Sequence, residues 1–136
     1  LVQEISQLDV PEQAYDVVWL SRAMYSCVPG RQRRVAMVRR VAKALKPGGT
    51  FLCQFRMDPR MSPSKRGVRV RRLIAALTFG NRSYEAGDLL LFNIEFLHAF
   101  SSIEQVRGEI EDGGLEVIRF QQKINPVEMG VVCRKQ

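Results

Sequence analysis

The sequence predicts an α/β protein in which a mostly parallel sheet carries helices on both faces. Residues 16–20 and 51–55 are short apolar runs, which are typical of buried strands. Between them, residues 31–45 carry apolar side chains at helical spacing. Strands that alternate with helices along a chain favour parallel pairing, because a helical crossover returns the chain to the same edge of the sheet.

The helix predicted over residues 31–45 has an apolar stripe and a basic face. The stripe consists of Val35, Val38, Val41, Ala42 and Leu45. The face expected to contact water carries Arg33, Arg34, Arg39, Arg40 and Lys43. Pro47 cannot continue a helix, and Gly48-Gly49 permits a tight turn into the next strand.

The second half of the chain predicts one more helix and two more strands. We expect residues 89–100 to be extended. Ser101, followed three residues later by Glu104, is the pattern of a capping box and predicts a helix start, and Gly113-Gly114 ends that helix. The remaining strands are predicted at residues 115–120 and 130–133.

The composition is that of one globular domain. The chain has 136 residues, and no run approaches the roughly 18 consecutive apolar residues of a membrane span, so we expect no membrane partner. Cys27, Cys53 and Cys133 are far apart and odd in number, which predicts reduced thiols and a cytoplasmic protein. No paired Cys/His spacing indicates a metal site.

The net charge of +7 is concentrated in one basic segment, residues 56–82, which holds eight basic residues and a single acid, Asp58. Pro59, Pro63 and Gly67 make its start irregular, so residues 56–87 are predicted to be an insertion. Such a segment suits an anionic substrate, a nucleic acid or an acidic partner, and it is also compatible with a solvated helix face.

The order of these pieces resembles the C-terminal portion of a class I S-adenosylmethionine-dependent methyltransferase. The matching pieces are Pro11 with Tyr15-Asp16, the turn and strand at 45–52, and the segments 96–101, 114–118 and 131–134. The resemblance implies a partial Rossmann-like sheet with the family's strands in the order 4-5-7-6 and the last strand antiparallel. Residues 1–136 would then be the C-terminal part of a single methyltransferase domain.

The resemblance also implies the cofactor S-adenosylmethionine and methyl transfer to a small-molecule acceptor. The family's glycine-rich loop, in which the backbone approaches the cofactor closely, has no counterpart here, because no G-x-G sequence occurs. We therefore expect the chain to act as part of a larger enzyme and to be inactive alone. By position, Glu4 matches the acid that binds the adenine amine, and Ile5 matches the residue beside that ring. Ser21, Arg22 and Ala23 match the segment beside the methionine part and the reacting methyl group.

These assignments have structural alternatives. Glu4 is equally compatible with a surface acid, and Ser21 with a cap of the following turn. His98, the only histidine, and Tyr25 are the candidates for a catalytic role, although each is also compatible with a structural role in the core. The insertion occupies the place where the family's substrate lid commonly lies. Its residues Arg66, Arg69, Arg71 and Arg72 would then favour an anionic acceptor.

An alternative function is a non-catalytic binding module, or part of an RNA-directed methyltransferase, that uses the basic segment 56–82. Against the module, the basic residues lack interleaved aromatic side chains, and no RNA-binding signature is present. In either case the apolar strand at 16–20 would be exposed at a sheet edge, which predicts self-association through that strand.

Overall fold

The computed structural model describes residues 9–60, 70, 73, 85–91, 95–122 and 127–136, which form an α/β fold around a mixed sheet. The elements in chain order are β1 (Tyr15–Leu20), α1 (Met24–Cys27), α2 (Arg31–Ala44), β2 (Leu45–Met57), β3 (Asp88–Leu91), β4 (Glu95–Phe100), α3 (Ile103–Asp112), β5 (Glu116–Gln122) and β6 (Glu128–Arg134). Val70 and Leu73 are also helical, and both side chains are exposed.

The long strand β2 lies at the centre of the sheet. It pairs in parallel with β1 from Val17↔Thr50 to Leu20↔Cys53, and further along it pairs in parallel with β4 at Arg56↔Ala99. Its other edge pairs antiparallel with β6. The prediction that residues 16–20 and 51–55 are adjacent parallel strands is therefore confirmed.

The prediction of a mostly parallel sheet is wrong, because most of the strand pairs are antiparallel. Three of the five pairs, β2–β6, β5–β6 and β3–β4, are antiparallel. One reason is that β6 lies between β2 and β5 and runs opposite to both of them. The other reason is local, because β3 and β4 form an antiparallel pair within the region that was predicted only to be extended.

The predicted turn at residues 45–50 is part of β2, where it interrupts the pairing of β2 with β1. Tyr15 pairs with Leu45, whereas Val17 pairs with Thr50, so residues 46–49 bulge out of the ladder. Gly48 adopts a φ of 75°, a conformation that glycine accepts without steric cost. The helix prediction is confirmed, since α2 ends at Ala44 and the chain enters β2 directly.

The expectation of helices on both faces stays a prediction, although α1, α2 and α3 all contribute to a single core. Alternate side chains of β2, namely Phe51, Cys53 and Phe55, form one core with the helices. That core includes Tyr25 from α1, Val38 and Val41 from α2, and Val106 and Ile110 from α3. On β1, Val17 is 55% exposed and Trp19 67% exposed.

The close approach of α2 to α3 requires a glycine. A Cβ atom at Gly113 would lie 2.2 Å from Cγ1 of Val38, so a side chain would force the helices apart. The predicted capping box does not form: the N-cap of α3 is Ser102 rather than Ser101, and it makes no side-chain cap hydrogen bond. The backbone N–H of Ser101, which the predicted box would pair with Glu104, donates instead to Oε1 of Gln105 at 3.1 Å.

The three cysteines are free thiols. Cys53 and Cys133 are buried, and burial raises the pKa of Cys133 to about 12. Cys27, by contrast, is exposed. No helix in the described part of the chain is both long enough and apolar enough to cross a membrane.

Several predicted residues lie outside the described part of the chain. They are Glu4, Ile5, Arg66, Arg69, Arg71 and Arg72, together with most of the insertion predicted at 56–87.

We propose that β1 mediates self-association, because it pairs only with β2 among the described strands and exposes Val17 and Trp19. Replacing both residues by lysine places charge on the exposed strand and should shift the chain toward a monomer in light scattering. The matched control is Ile118→Lys on the opposite edge strand, β5, where the side chain is 44% exposed and the change should leave the mass unaffected. A wild-type chain that remains monomeric at high concentration would contradict the proposal.

Candidate functional site

The parallel strands β1 and β2 place a loop at the carboxyl edge of the sheet. Residues 21–23 follow β1 directly and lead into α1. The backbone N–H of Arg22 donates to Oε1 of Gln54 at 2.9 Å, which ties this loop to β2. Ligands of open α/β sheets bind at such carboxyl edges, so this loop is the first candidate for a binding site.

The loop is held in an unusual backbone conformation. Arg22 has a φ of 52° and Ala23 a φ of 53°, and both lie in the left-handed region. That region costs a residue with a Cβ atom about 1–2 kcal/mol. The turn is nevertheless held, because Met24 N donates to Ser21 O at 3.1 Å and Ser26 N donates to Ala23 O at 2.8 Å. Strained backbone is found preferentially at ligand-binding positions, which strengthens the case for a site at this edge.

The structure brings together three of the predicted cofactor residues, Ser21, Arg22 and Ala23, in this loop. Arg22 is exposed, whereas Ala23 is buried. Whether any of them contacts a cofactor stays a prediction. The sequence contains no glycine or asparagine at residues 21–23, which explains why the left-handed turn had no sequence signal.

Tyr25 lies just behind this loop and is fully buried. Its hydroxyl donates to Oε2 of Glu109 at 2.8 Å, and its ring stacks on Phe100 with centroids 5.7 Å apart. Burial, together with the negative charge of Glu109, raises the pKa of Tyr25 well above its ordinary value. Tyr25 therefore remains a neutral hydrogen-bond donor at physiological pH.

Arg34 is buried, contrary to the expectation that it lies on the solvated face of its helix. Its Nε and Nη2 atoms each donate to Glu109 at 2.8 Å, and Nη2 also donates to Glu85 at 2.8 Å. Burial opposes the charge on Arg34, but these two carboxylates outweigh that penalty and raise its pKa. The arginine thus links α2 to α3 and to the segment that precedes β3.

Asp88 and His98 form a second buried pair. They face each other across β3 and β4, with Asp88 Oδ1 2.7 Å from His98 Nδ1 and both side chains 5% exposed. Asp88 Oδ2 accepts a hydrogen bond from the backbone N–H of Glu85 at 2.8 Å. Gly87 makes this geometry possible, because it has a φ of 100° and a Cβ atom there would lie 2.2 Å from the carbonyl oxygen of Ala99.

A cavity of about 310 Å³ lies where α2, α3 and the β3–β4 pair meet. Its polar lining is formed by Arg31, Arg34, Glu85, His98, Glu104, Gln105 and Glu109. The cavity had no signal in the sequence, because its walls come from segments that are far apart along the chain.

Glu85, Asp88 and His98 also place potential metal-ligand atoms within 4.8 Å of one another. The carboxylate oxygens, however, already have partners. Glu85 accepts from the backbone N–H of Arg31 at 2.7 Å and from Arg34 at 2.8 Å. A cation would have to lie beside the guanidinium of Arg34, which repels it. Glu85 and Asp88 are therefore better placed to hold the imidazole of His98 in a fixed orientation than to bind a metal ion.

No protein-family model matches this sequence, and no curated protein matches it. Solved structures do match. The chain is similar to an S-adenosylmethionine-dependent methyltransferase from Methanosarcina mazei, with 18% identity and a TM-score of 0.69 over 99% of this chain and 66% of that chain. It is also similar to the CcbJ methyltransferase from Streptomyces caelestis, with 16% identity and a TM-score of 0.68 over 99% of this chain and 62% of that chain.

A third similar structure is the 1,6-didemethyltoxoflavin-N1-methyltransferase from Burkholderia thailandensis, which was solved with 1,6-didemethyltoxoflavin and S-adenosylhomocysteine bound. The identity is 12% and the TM-score 0.65, over 100% of this chain and 50% of that chain. The chain thus spans between half and two thirds of the length of these three structures. It has a class I methyltransferase-like fold, as the sequence predicted.

Replacing Arg34 by methionine tests the buried charge network. The change leaves Glu109 buried without its cationic partner, and we expect the free energy of unfolding to fall by about 3–5 kcal/mol. The matched control is Arg33→Met on the exposed face of the same helix, for which we expect a change within about 0.5 kcal/mol. Urea denaturation measures both values. Equal losses in the two variants would contradict a structural role specific to Arg34.

Proposed function

We propose that this chain is part of an enzyme that transfers a methyl group from S-adenosylmethionine to a small-molecule acceptor. The observation that carries the proposal is the parallel pair β1–β2, which ends at the strained loop of residues 21–23. Similarity to solved methyltransferases supports it at the level of the fold. In this proposal β1, β2, β6 and β5 correspond to the family's strands 4, 5, 7 and 6.

The described residues fit one wall of a cofactor site. The loop at residues 21–23 presents backbone groups and the exposed Arg22 at the carboxyl edge, beside the half-buried Gln54. The 136 residues contain no glycine loop to complete the site. We therefore propose that the remaining wall comes from polypeptide outside these residues, and that the 136 residues alone are inactive.

When bound, the cofactor supplies an electrophilic methyl group, so the protein's task is chiefly to orient the acceptor and exclude water. We assign Ser21, Arg22 and Ala23 to the methionine side of the cofactor, and Glu4 and Ile5 to its adenine side. Ser21, Arg22 and Ala23 lie together at the carboxyl edge of the sheet. Glu4 and Ile5 lie outside the described residues, so their roles remain predictions from the sequence.

Calorimetry with S-adenosylhomocysteine tests the cofactor assignment. We expect the full gene product to bind this compound and residues 1–136 to bind it at least about tenfold more weakly, because one wall is missing. In the full product, Ala23→Asp places a charge beside the methionine side and should abolish binding, whereas Asp16→Asn on the exposed side of β1 should not. Absence of binding by the unaltered full product would contradict the proposed function.

The arginines of the predicted lid provide a separate test of the acceptor. If Arg66, Arg69, Arg71 and Arg72 contact an anionic group, replacing all four by glutamine removes that attraction and should raise the KM for the acceptor at least about tenfold. The measurement is the KM at low and at high salt, with Arg33→Gln as the control. An unchanged KM would contradict a role of these four arginines in acceptor binding. Loss of nucleic-acid binding in the same variant would instead favour the alternative of an RNA-directed protein.

A further inference from the structure

The strand β2 changes partners beside the loop of residues 21–23. Its pairing with β1 ends at Cys53, and its pairing with β4 begins at Arg56. Gln54 and Phe55 lie between these two stretches and pair with neither of the two strands. Hydrogen bonds from outside the ladder are therefore needed on this edge of β2.

Two side-chain hydrogen bonds fasten the loop and α1 to this part of β2. Oε1 of Gln54 accepts from the backbone N–H of Arg22 at 2.9 Å. Oγ of Ser26, a fully buried residue of α1, accepts from the backbone N–H of Arg56 at 2.8 Å. The first bond holds the loop itself, and the second holds the helix into which the loop leads. The bonded residues are 32 and 30 positions apart in the chain, so neither bond belongs to a local turn.

The bond from Gln54 acts on the strained part of the loop. Arg22 and Ala23 have φ values of 52° and 53°, which residues with a Cβ atom adopt only where the surrounding structure requires it. A change of φ at Arg22 would rotate the peptide bond between Ser21 and Arg22 relative to α1, which Ser26 holds against β2. Such a rotation would turn the N–H of Arg22 away from Gln54. The hydrogen bond therefore opposes relaxation of the left-handed turn.

The shape of the turn matters for binding under the proposed function, in which residues 21–23 contact the methionine portion of the cofactor. A loop that already has its bound conformation loses little conformational freedom when a ligand arrives, whereas a relaxed loop must be reordered at a cost in affinity. Gln54 is half-buried, and Arg22, whose backbone it holds, is exposed. Gln54 thus supports the turn through the backbone, and the side chain of Arg22 is not needed for that bond.

We propose that Gln54 is a positioning residue of the cofactor site, whose side-chain oxygen holds residues 21–23 in the left-handed turn that contacts the methionine portion of S-adenosylmethionine. This inference rests on the proposed function. Gln54 acts through the backbone N–H of Arg22 and does not contact the reacting atoms. What the position requires is an acceptor oxygen at the end of a side chain of this length, which glutamate also supplies and methionine does not.

Calorimetry on the full gene product separates the hydrogen bond from the size of the side chain. Gln54→Met keeps the length of the side chain and removes the acceptor, so we expect the affinity for S-adenosylhomocysteine to fall about tenfold. Gln54→Glu keeps an acceptor oxygen and should bind as tightly as the wild type. The matched control is Gln121→Met, because Gln121 lines the same cavity of about 220 Å³ as Gln54 but lies on β5. That change should leave the affinity unaltered.

Amide hydrogen exchange in the same variants reports on the turn without any ligand. The N–H of Arg22 should exchange faster in Gln54→Met than in the wild type, and as slowly in Gln54→Glu as in the wild type. Equal exchange of this N–H in the wild type and in Gln54→Met would overturn the effect of the hydrogen bond on the turn.

The binding results decide the positioning role. An unchanged affinity in Gln54→Met would overturn it, as would a loss of affinity in Gln54→Glu equal to that in Gln54→Met. Failure of the wild type to bind S-adenosylhomocysteine would instead overturn the proposed function, and the exchange of the Arg22 N–H distinguishes the two failures because it does not depend on the ligand.

Discussion

The rest of the structure depends on the pairing of β2, which has hydrogen-bonded neighbours along both edges. β1 and then β4 lie along one edge, and β6 lies along the other. Its alternate residues Phe51, Cys53 and Phe55 enter the core beneath the helices. Because a slip of one residue would turn these side chains to the opposite face, the register of β2 fixes where β1 and β4 end. The loop of residues 21–23 and the Asp88–His98 pair both take their positions from this register.

Buried charged side chains fix how the three helices pack against one another, which apolar packing alone would not do. Arg34 joins α2 to Glu109 on α3, and Glu109 also accepts from Tyr25 on α1. Burying such groups stabilises the fold only when every partner is present, since one removed carboxylate leaves an uncompensated charge. The same network occupies the guanidinium of Arg34, which lines the cavity.

The sequence predicted those elements whose signal is local. β1, α2 and β2 follow from short apolar runs, a helical stripe and the Pro-Gly-Gly turn. The sequence placed Arg34 on the face that contacts water, because helical periodicity cannot reveal that the carboxylate of Glu109, 75 residues away, would pair with its charge. Strand–helix alternation does not determine the face that each helix covers, so the prediction of helices on both faces stays a prediction.

The candidate site was only partly predictable for the same reason. Ser21, Arg22 and Ala23 follow a predicted strand, so their position at its carboxyl end could be inferred. The left-handed turn at Arg22 and Ala23 has no signal in residue type. His98 was a candidate from the sequence, but its partner Asp88 and the cavity depend on the pairing of β3 with β4.

A crystal structure of the full gene product with S-adenosylhomocysteine bound would test the central claim most directly. We predict density for the ligand's amino-acid portion against residues 21–23, at the carboxyl edge shared by β1 and β2. Ligand density at another edge of the sheet, or a loop of residues 21–23 that is covered by protein and contacts no ligand, would contradict it.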